Sequence, residues 1–366
     1  MIYNIKLHIL SPIHIGCDES YSPLEFIIDA DKNLLIHFNL WKFIENLDNK
    51  DWQKLKTISE NVSIKTLVEI YRFYSELKSK IKGNTIPIPA ELAERYREVK
   101  QLSKERDILK EFNQFEIPRT YFNPYTQKPI IPGSSLKGSL RTGYLDGLLR
   151  EATNRDEIIK KANPKKPSEL EEILLNGKFN TDPFKLFKVS DFESEDEIKT
   201  KIIYQINVRK LNNFSRESLS IPIEVIQEKT IFKGTIKVDE SIENSGIKKP
   251  INLKNLLLKV HYHYAGLFNK EINLRKEKGF LLPDISPFKD GLKQKFFLIR
   301  LGKHSGAEAV TIEGVRKIKV KTAEGPKILP SSTTIWLASE ERKPSNLSRV
   351  KSFGWAMLEV LNADKL

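Results

Sequence analysis

The stretch Ile131-Pro132-Gly133-Ser134-Ser135-Leu136-Lys137-Gly138-Ser139-Leu140-Arg141 constrains this chain more than any other, because an extended run stops and a helix starts within a few residues. Pro132 and Gly133 end the strand-like run. Ser134 and Ser135 are of the type that caps a first turn, leaving backbone N–H groups at the positive end of a helix dipole. Leu136, Leu140, Tyr144 and Leu148 recur every four residues and hold one helix face in a core. Lys137 and Arg141 are four apart and share another face, with Gly138 between them allowing a ligand backbone to come close. These are the parts of an anion site. A capped helix with solvated cations has the same spacing, so the rest of the chain decides between the two. Gly133 and Gly138 also open a G-x-x-x-x-G pattern, but Ser139-Leu140 stand where a nucleotide P-loop needs Lys followed by Ser or Thr.

The chain has 366 residues, enough for one large core or two smaller ones. Lys plus Arg number 61 against 48 Asp plus Glu, a net charge of +13 that favours a polyanionic partner, with nucleic acid first among them. The single cysteine, Cys17, excludes a disulfide framework and a Cys-rich zinc site, and fits a reducing compartment. The opening MIYNIKLHIL lacks the long apolar stretch of a signal peptide, and no run approaches the ~18 apolar residues of a membrane span. A soluble, cytoplasmic protein without membrane contact is expected.

Along the chain, Tyr3, Ile5, Leu7 and Ile9 alternate with polar residues and predict a strand over 2–10. Residues 11–23 read as a loop, and 24–28 with 34–37 as a hairpin around a polar turn. Helical periodicity follows over 40–115, with Leu67, Ile70, Tyr71, Tyr74 and Leu77 in one segment and Leu92, Tyr96 and Val99 in another, separated by Pro87 and Pro89. Residues 119–131 are extended. The charged segment 151–200, with a turn at Asn163-Pro164-Lys165-Lys166-Pro167, reads as an insertion. Strand signals return at 202–208, 223–225 and 232–238; Leu253, Leu256, Leu257, Val260, Tyr264, Leu267 and Phe268 share a helical face; and Phe296–Leu301 is a strand ending in Gly302-Lys303-His304-Ser305-Gly306. Lys317, Lys319 and Lys321 alternate with Ile318 and Val320, a strand with one basic face.

With the two insertions set aside, the order is β-α-β-β-α-β, an α+β unit of the ferredoxin-like or RRM type. The predicted core is discontinuous, 1–38, 119–150 and 201–303. A helical insertion spans 39–118 and the charged insertion 151–200. Residues 304–366 form a β-rich C-terminal extension with the glycine-rich loop, or belong to a second RRM-like unit. No aromatic RNP1-type motif is present, so bases are not expected to stack on the sheet.

Motif and topology together resemble the RAMP superfamily of CRISPR-associated proteins. The resemblance rests on Ile131 to Gly138 followed by Arg141-Thr142, on Ser11-Pro12-Ile13-His14-Ile15-Gly16 after the first strand, and on Leu301 to Gly306. The loop Gly16 to Pro23 leading into Leu24-Glu-Phe-Ile-Ile-Asp29, the helical insertion and the length are most similar to the subunit that caps the crRNA 3′ end in type III-A (Csm) effector complexes, with another RAMP subunit of a type III complex as the alternative. The resemblance implies an RRM-like fold, crRNA as ligand, and the repeated backbone RAMP subunit and other Csm subunits as partners. It also implies support of crRNA maturation and antiviral interference, with recruited cellular nucleases doing the trimming. It places RNA contacts at Ser134, Ser135, Lys137 and Arg141, and at Lys303, His304 and His14. A guide held whatever its sequence needs phosphate and ribose contacts, which a helix start with Lys and Arg can supply.

Backbone subunits of such complexes cut target RNA with an Asp in a loop between the first strand and the signature. This chain has no clear counterpart, and Asp18, Asp29 and Asp31 are read as turn residues. Six histidines, His8, His14, His37, His261, His263 and His304, admit a second reading, a metal-independent endoribonuclease that processes crRNA precursors. His14 would then be the base, although no second acid or base lies near it in sequence. His261 and His263 would point apart on a helix, and no spacing completes a metal site. The expectation is a non-enzyme without cofactor or metal.

Overall fold

The protein is described from a computed structural model covering residues 1–60, 63–112, 115–161, 166–194, 200–211, 220–240, 245–322 and 325–366. The first strand, Ile2–Ile9, buries Tyr3, Ile5, Leu7 and Ile9 as its alternation requires. It lies at the centre of a five-stranded antiparallel sheet in the order Phe296–Arg300, Trp355–Val360, Ile2–Ile9, Ile231–Val238, Phe187–Val189. Two helices, Gly133–Glu151 and Leu253–Lys278, share one apolar cluster with this sheet. They cross where Gly143 and Gly147 face Val260 and Lys259. A Cβ on Gly143 would lie 2.9 Å from Val260 Cα, and one on Gly147 2.5 Å from Lys259 Cβ, so both positions require glycine for the close approach.

The α+β class holds, with corrections to which strands belong together. Thr200–Arg209 and Ser220–Ile226 do not extend the first sheet. They form a second one, ordered Lys351–Ser352, Thr334–Ser339, Thr200–Arg209, Ser220–Ile226. On one face Ile202, Tyr204, Ile206 and Val208 pack against the helical segment, and on the other Ile203, Ile223 and Val225 form a small buried cluster with Ala338 of the same sheet and Phe353. Alternation marks a strand and its buried face but not which sheet the strand joins.

Segments read as peripheral also enter the core. Trp355–Val360, within the C-terminal extension, is a middle strand of the first sheet. Phe187–Val189, within the charged segment, is its edge, and Leu170, Leu174 and Leu175 join its apolar cluster. The loop over 11–23 contains a strand, Gly16–Tyr21, paired with Ile117–Thr120 through an irregular register. Its sequence Cys17-Asp18-Glu19-Ser20 has no apolar alternation to announce it. The hairpin Phe26–Asp29 and Leu34–His37 forms as expected and gains a third strand, Asn84–Pro87. Of the turn expected over 163–167, residues 163–165 lie outside the described residues, and Pro167 starts a helix that ends at Leu175. Among the described residues no helix is long and apolar enough to cross a membrane.

Candidate nucleic-acid interface

The helix signalled by the opening motif begins at Gly133, where Pro132 is the N-cap residue and makes no side-chain cap. The serine cap expected from sequence is absent. Ser134 and Ser135 sit inside the first turn, and the carboxylate of Asp191 accepts the Gly133 N–H at 2.8 Å. The chain packs so tightly here that a Cβ on Gly133 would fall 2.3 Å from the Val189 carbonyl oxygen.

Lys137 and Arg141 do share a face, and that face turns toward the charged segment. Lys137 Nζ donates to the Phe184 carbonyl at 2.8 Å, and burial pushes its pKa down. Arg141 pairs with Glu171 at 2.5 Å and Asp182 at 2.8 Å, and lies 4.8 Å over the Phe184 ring. Burial opposes its charge, but the two carboxylates outweigh that and raise its pKa.

The open side of the helix is different. Ser134 and Gly138 are exposed, and a Cβ on Gly138 would meet nothing within 4 Å. Ser139 Oγ bonds the Arg300 carbonyl and the Tyr264 hydroxyl, each at 2.8 Å, which ties the helix to the start of the glycine-rich loop. In that loop Gly302 has φ +82°, and a Cβ there would lie 2.6 Å from the His14 carbonyl oxygen. The Lys303 N–H donates to that same carbonyl at 2.8 Å, and Ser305 Oγ closes the loop onto the Leu301 and Gly302 carbonyls, both at 2.7 Å. The three distant sequence matches therefore meet at one place. Between the helix start and the loop lies a cleft of about 280 Å³ whose walls include Ser134, Ser135, Gly138, Thr142, Gly302 and Ser305.

Lys303 is exposed and makes no ion pair among the described residues. His304, at φ +70°, stacks on His14 with ring centroids 6.0 Å apart. Burial, with His14 and Lys303 adding, lowers the His304 pKa to about 3, so its ring is neutral. His14 is only 1% exposed, and its Nδ1–H donates to the Glu224 carbonyl at 2.7 Å. Burial lowers its pKa as well. His14 thus supports the loop from beneath.

The other acidic and histidine candidates, Asp18 excepted, have structural partners. Asp29 pairs with Lys78 at 2.6 Å, Asp31 pairs with Arg97 at 2.6 Å, and Asp18 is exposed at φ +58°. His261 and His263 point apart, as a helix requires: His261 Nδ1 accepts the Leu298 N–H at 3.1 Å, while His263 Nδ1 lies 3.0 Å from Asp146. Among the described residues no group of three or more His, Cys, Asp or Glu could hold a metal ion. The basic strand forms as Ile318–Thr322, paired with Gly325–Leu329, and exposes Lys319 and Lys321.

Sequence reasoning missed Asp191, Glu171, Asp182, Tyr264 and Arg300. Each meets the signature helix from a segment far along the chain, and no local pattern announces such pairing.

Comparison with known proteins gives a family. The sequence profile of the RAMP superfamily matches residues 6–283. A "CRISPR system Cms protein Csm5" from Methanocaldococcus jannaschii is 28% identical over 267 residues, which is 71% of this chain and 56% of that protein. The chain therefore spans little more than half of that relative. Among solved structures, a chain of a cryo-EM structure of a Csm–crRNA–target RNA ternary complex of a type III-A CRISPR-Cas system superposes with a TM-score of 0.61. Identity is 16%, covering 98% of this chain and 100% of that one. The crystal structure of T. onnurineus Csm5 gives 0.54 at 16% identity, covering 97% and 100%. These two likenesses describe the fold.

Proposed function

The chain belongs to the RAMP superfamily, and from that premise we propose that it is an RNA-binding, non-catalytic subunit of a type III-A (Csm) effector complex, holding the crRNA at its 3′ end. The observation that carries this reading is the cleft between the signature helix and the glycine-rich loop, lined by hydroxyls and small residues with Lys303 nearby. Such a surface suits a ribose-phosphate chain, because it offers hydrogen-bonding groups and close approach without reading base edges. The +13 net charge supplies the long-range attraction.

Within this reading the direct contacts are Ser134, Ser135, Lys303 and His304. Lys137 and Arg141 act at one remove, fixing the helix against the charged segment, and His14 supports the loop. The partners are crRNA, the repeated backbone RAMP subunit and other Csm subunits, in the cytoplasm, with cellular nucleases recruited for trimming. The relative's name and the superposition on a chain of a Csm complex support the assembly part.

Incubating the purified protein with labelled repeat-containing RNA tests it. Retention without discrete products is expected, and retention falls in Lys303→Ala. A defined cut that disappears in His14→Ala would favour the endoribonuclease alternative instead.

A further inference from the structure

A second cavity, also about 280 Å³, opens beside the signature cleft between the long helix, the loop after His304 and the strand at Thr334-Ile335. Arg300 and Ser305 line both spaces. Every cation on its wall already has a carboxylate: Lys210 with Glu308 at 2.7 Å, Lys270 with Glu313 at 2.7 Å, and Arg300 with Glu271 at 2.5 Å. Glu277 adds a carboxylate with no ion pair among the described residues. A phosphate is therefore poorly served here. The apolar wall is Leu267, Leu274 and Ile335, and at its rim the exposed Asn273 amide and the half-buried His304 ring make no hydrogen bond among the described residues. The amide and the neutral imidazole can each donate and accept.

We propose that this cavity holds one unstacked nucleobase of the RNA whose ribose-phosphate chain lies in the adjoining cleft. With its cations already paired and Glu277 left over, the site has no free positive charge for a phosphate, but it offers an apolar wall and hydrogen-bonding groups at its edge, which is the chemistry of a splayed-out base. Its volume lies near the lower end of small-molecule sites, ~300 Å³, and suits one ring system better than a dinucleotide. The proposal rests on the RNA-binding reading above.

The test compares three probes on the full-length protein by fluorescence anisotropy: an ordinary short single-stranded RNA, the same ribose-phosphate chain without bases, and that chain carrying a single adenine. The single-adenine chain is expected to bind roughly 5- to 150-fold more tightly than the base-free chain. Leu274→Trp, which fills the cavity from the helix, should erase that difference while the base-free chain binds as before. Asn273→Ala, at an exposed helix position, should reduce it severalfold, so the wild-type comparison and a mild variant both stand if Leu274→Trp fails to fold. Equal binding of both designed chains, with ordinary RNA bound, overturns the base pocket and leaves the cavity for a side chain of a neighbouring subunit. Failure of all three probes overturns the RNA-binding reading itself.

Discussion

The Asp191 carboxylate accepts the N–H of Gly133 at 2.8 Å, so the start of the signature helix is already occupied by an anion from the protein. Asp191 is exposed and stands where a helix-capping side chain would act. Asp191→Ala should lower the unfolding free energy by about 1 kcal/mol. RNA should bind the variant as tightly as wild type or more tightly, because a negative charge is gone from the rim. Chemical denaturation and a binding titration read the two effects, and a loss of affinity would show that Asp191 positions the ligand.

Arg141 and Lys303 should respond differently to salt. Lys303→Ala should shallow the dependence of log K on log salt by about 0.7, one phosphate contact on a single strand. Arg141→Ala should leave the slope unchanged and lower stability by about 1–2 kcal/mol, through loss of two partly exposed ion pairs and the Phe184 contact. A slope that falls in Arg141→Ala would mean that RNA displaces Glu171 and Asp182 on binding.

Gly138 and Gly143 lie on the same helix and should tolerate a methyl group oppositely. Gly138→Ala adds helix propensity into open space and should stabilise by about 1 kcal/mol. Gly143→Ala drives a Cβ to 2.9 Å from the Val260 backbone and should destabilise by about 1–3 kcal/mol. Gly138→Glu should keep the fold and abolish RNA retention, since its carboxylate enters the cleft. Melting curves with a filter-binding assay resolve all three.

Asp146 gives a pH signature. Burial pushes its carboxyl up, but the His263 contact at 3.0 Å, the Glu313 N–H at 2.8 Å and the nearby Arg150 outweigh that and hold it at about 2. Its folded pKa is thus below the unfolded one, so its contribution is complete above about pH 4 and is lost as pH falls from there toward 2. The contribution is about 2 kcal/mol. Asp146→Asn should remove this part of the acid limb in a stability-versus-pH series. An unaltered limb would assign it to other carboxylates.

Much was legible in the chain order. The alternation of Tyr3 to Ile9, the leucine repeat from Leu136 and the apolar face from Leu253 to Phe268 each marked an element that forms, because one-sided burial imposes a period on the sequence. Trp355–Val360 has no alternation to announce it, being buried on both faces, and the alternation of Thr200–Arg209 marks a strand without saying which sheet it joins.

At the site, local pattern was enough to start a helix near Gly133, to set Lys137 and Arg141 on one face, and to allow a sharp loop at Gly302 and Gly306. Where those faces point was decided only by tertiary structure. Helical spacing sets the angle between side chains on one element and says nothing of what lies opposite. Folding brought Glu171 and Asp182 to Arg141, Asp191 to Gly133, and His14 beneath the loop that carries Lys303, leaving the hydroxyl-lined side of the helix as the open one.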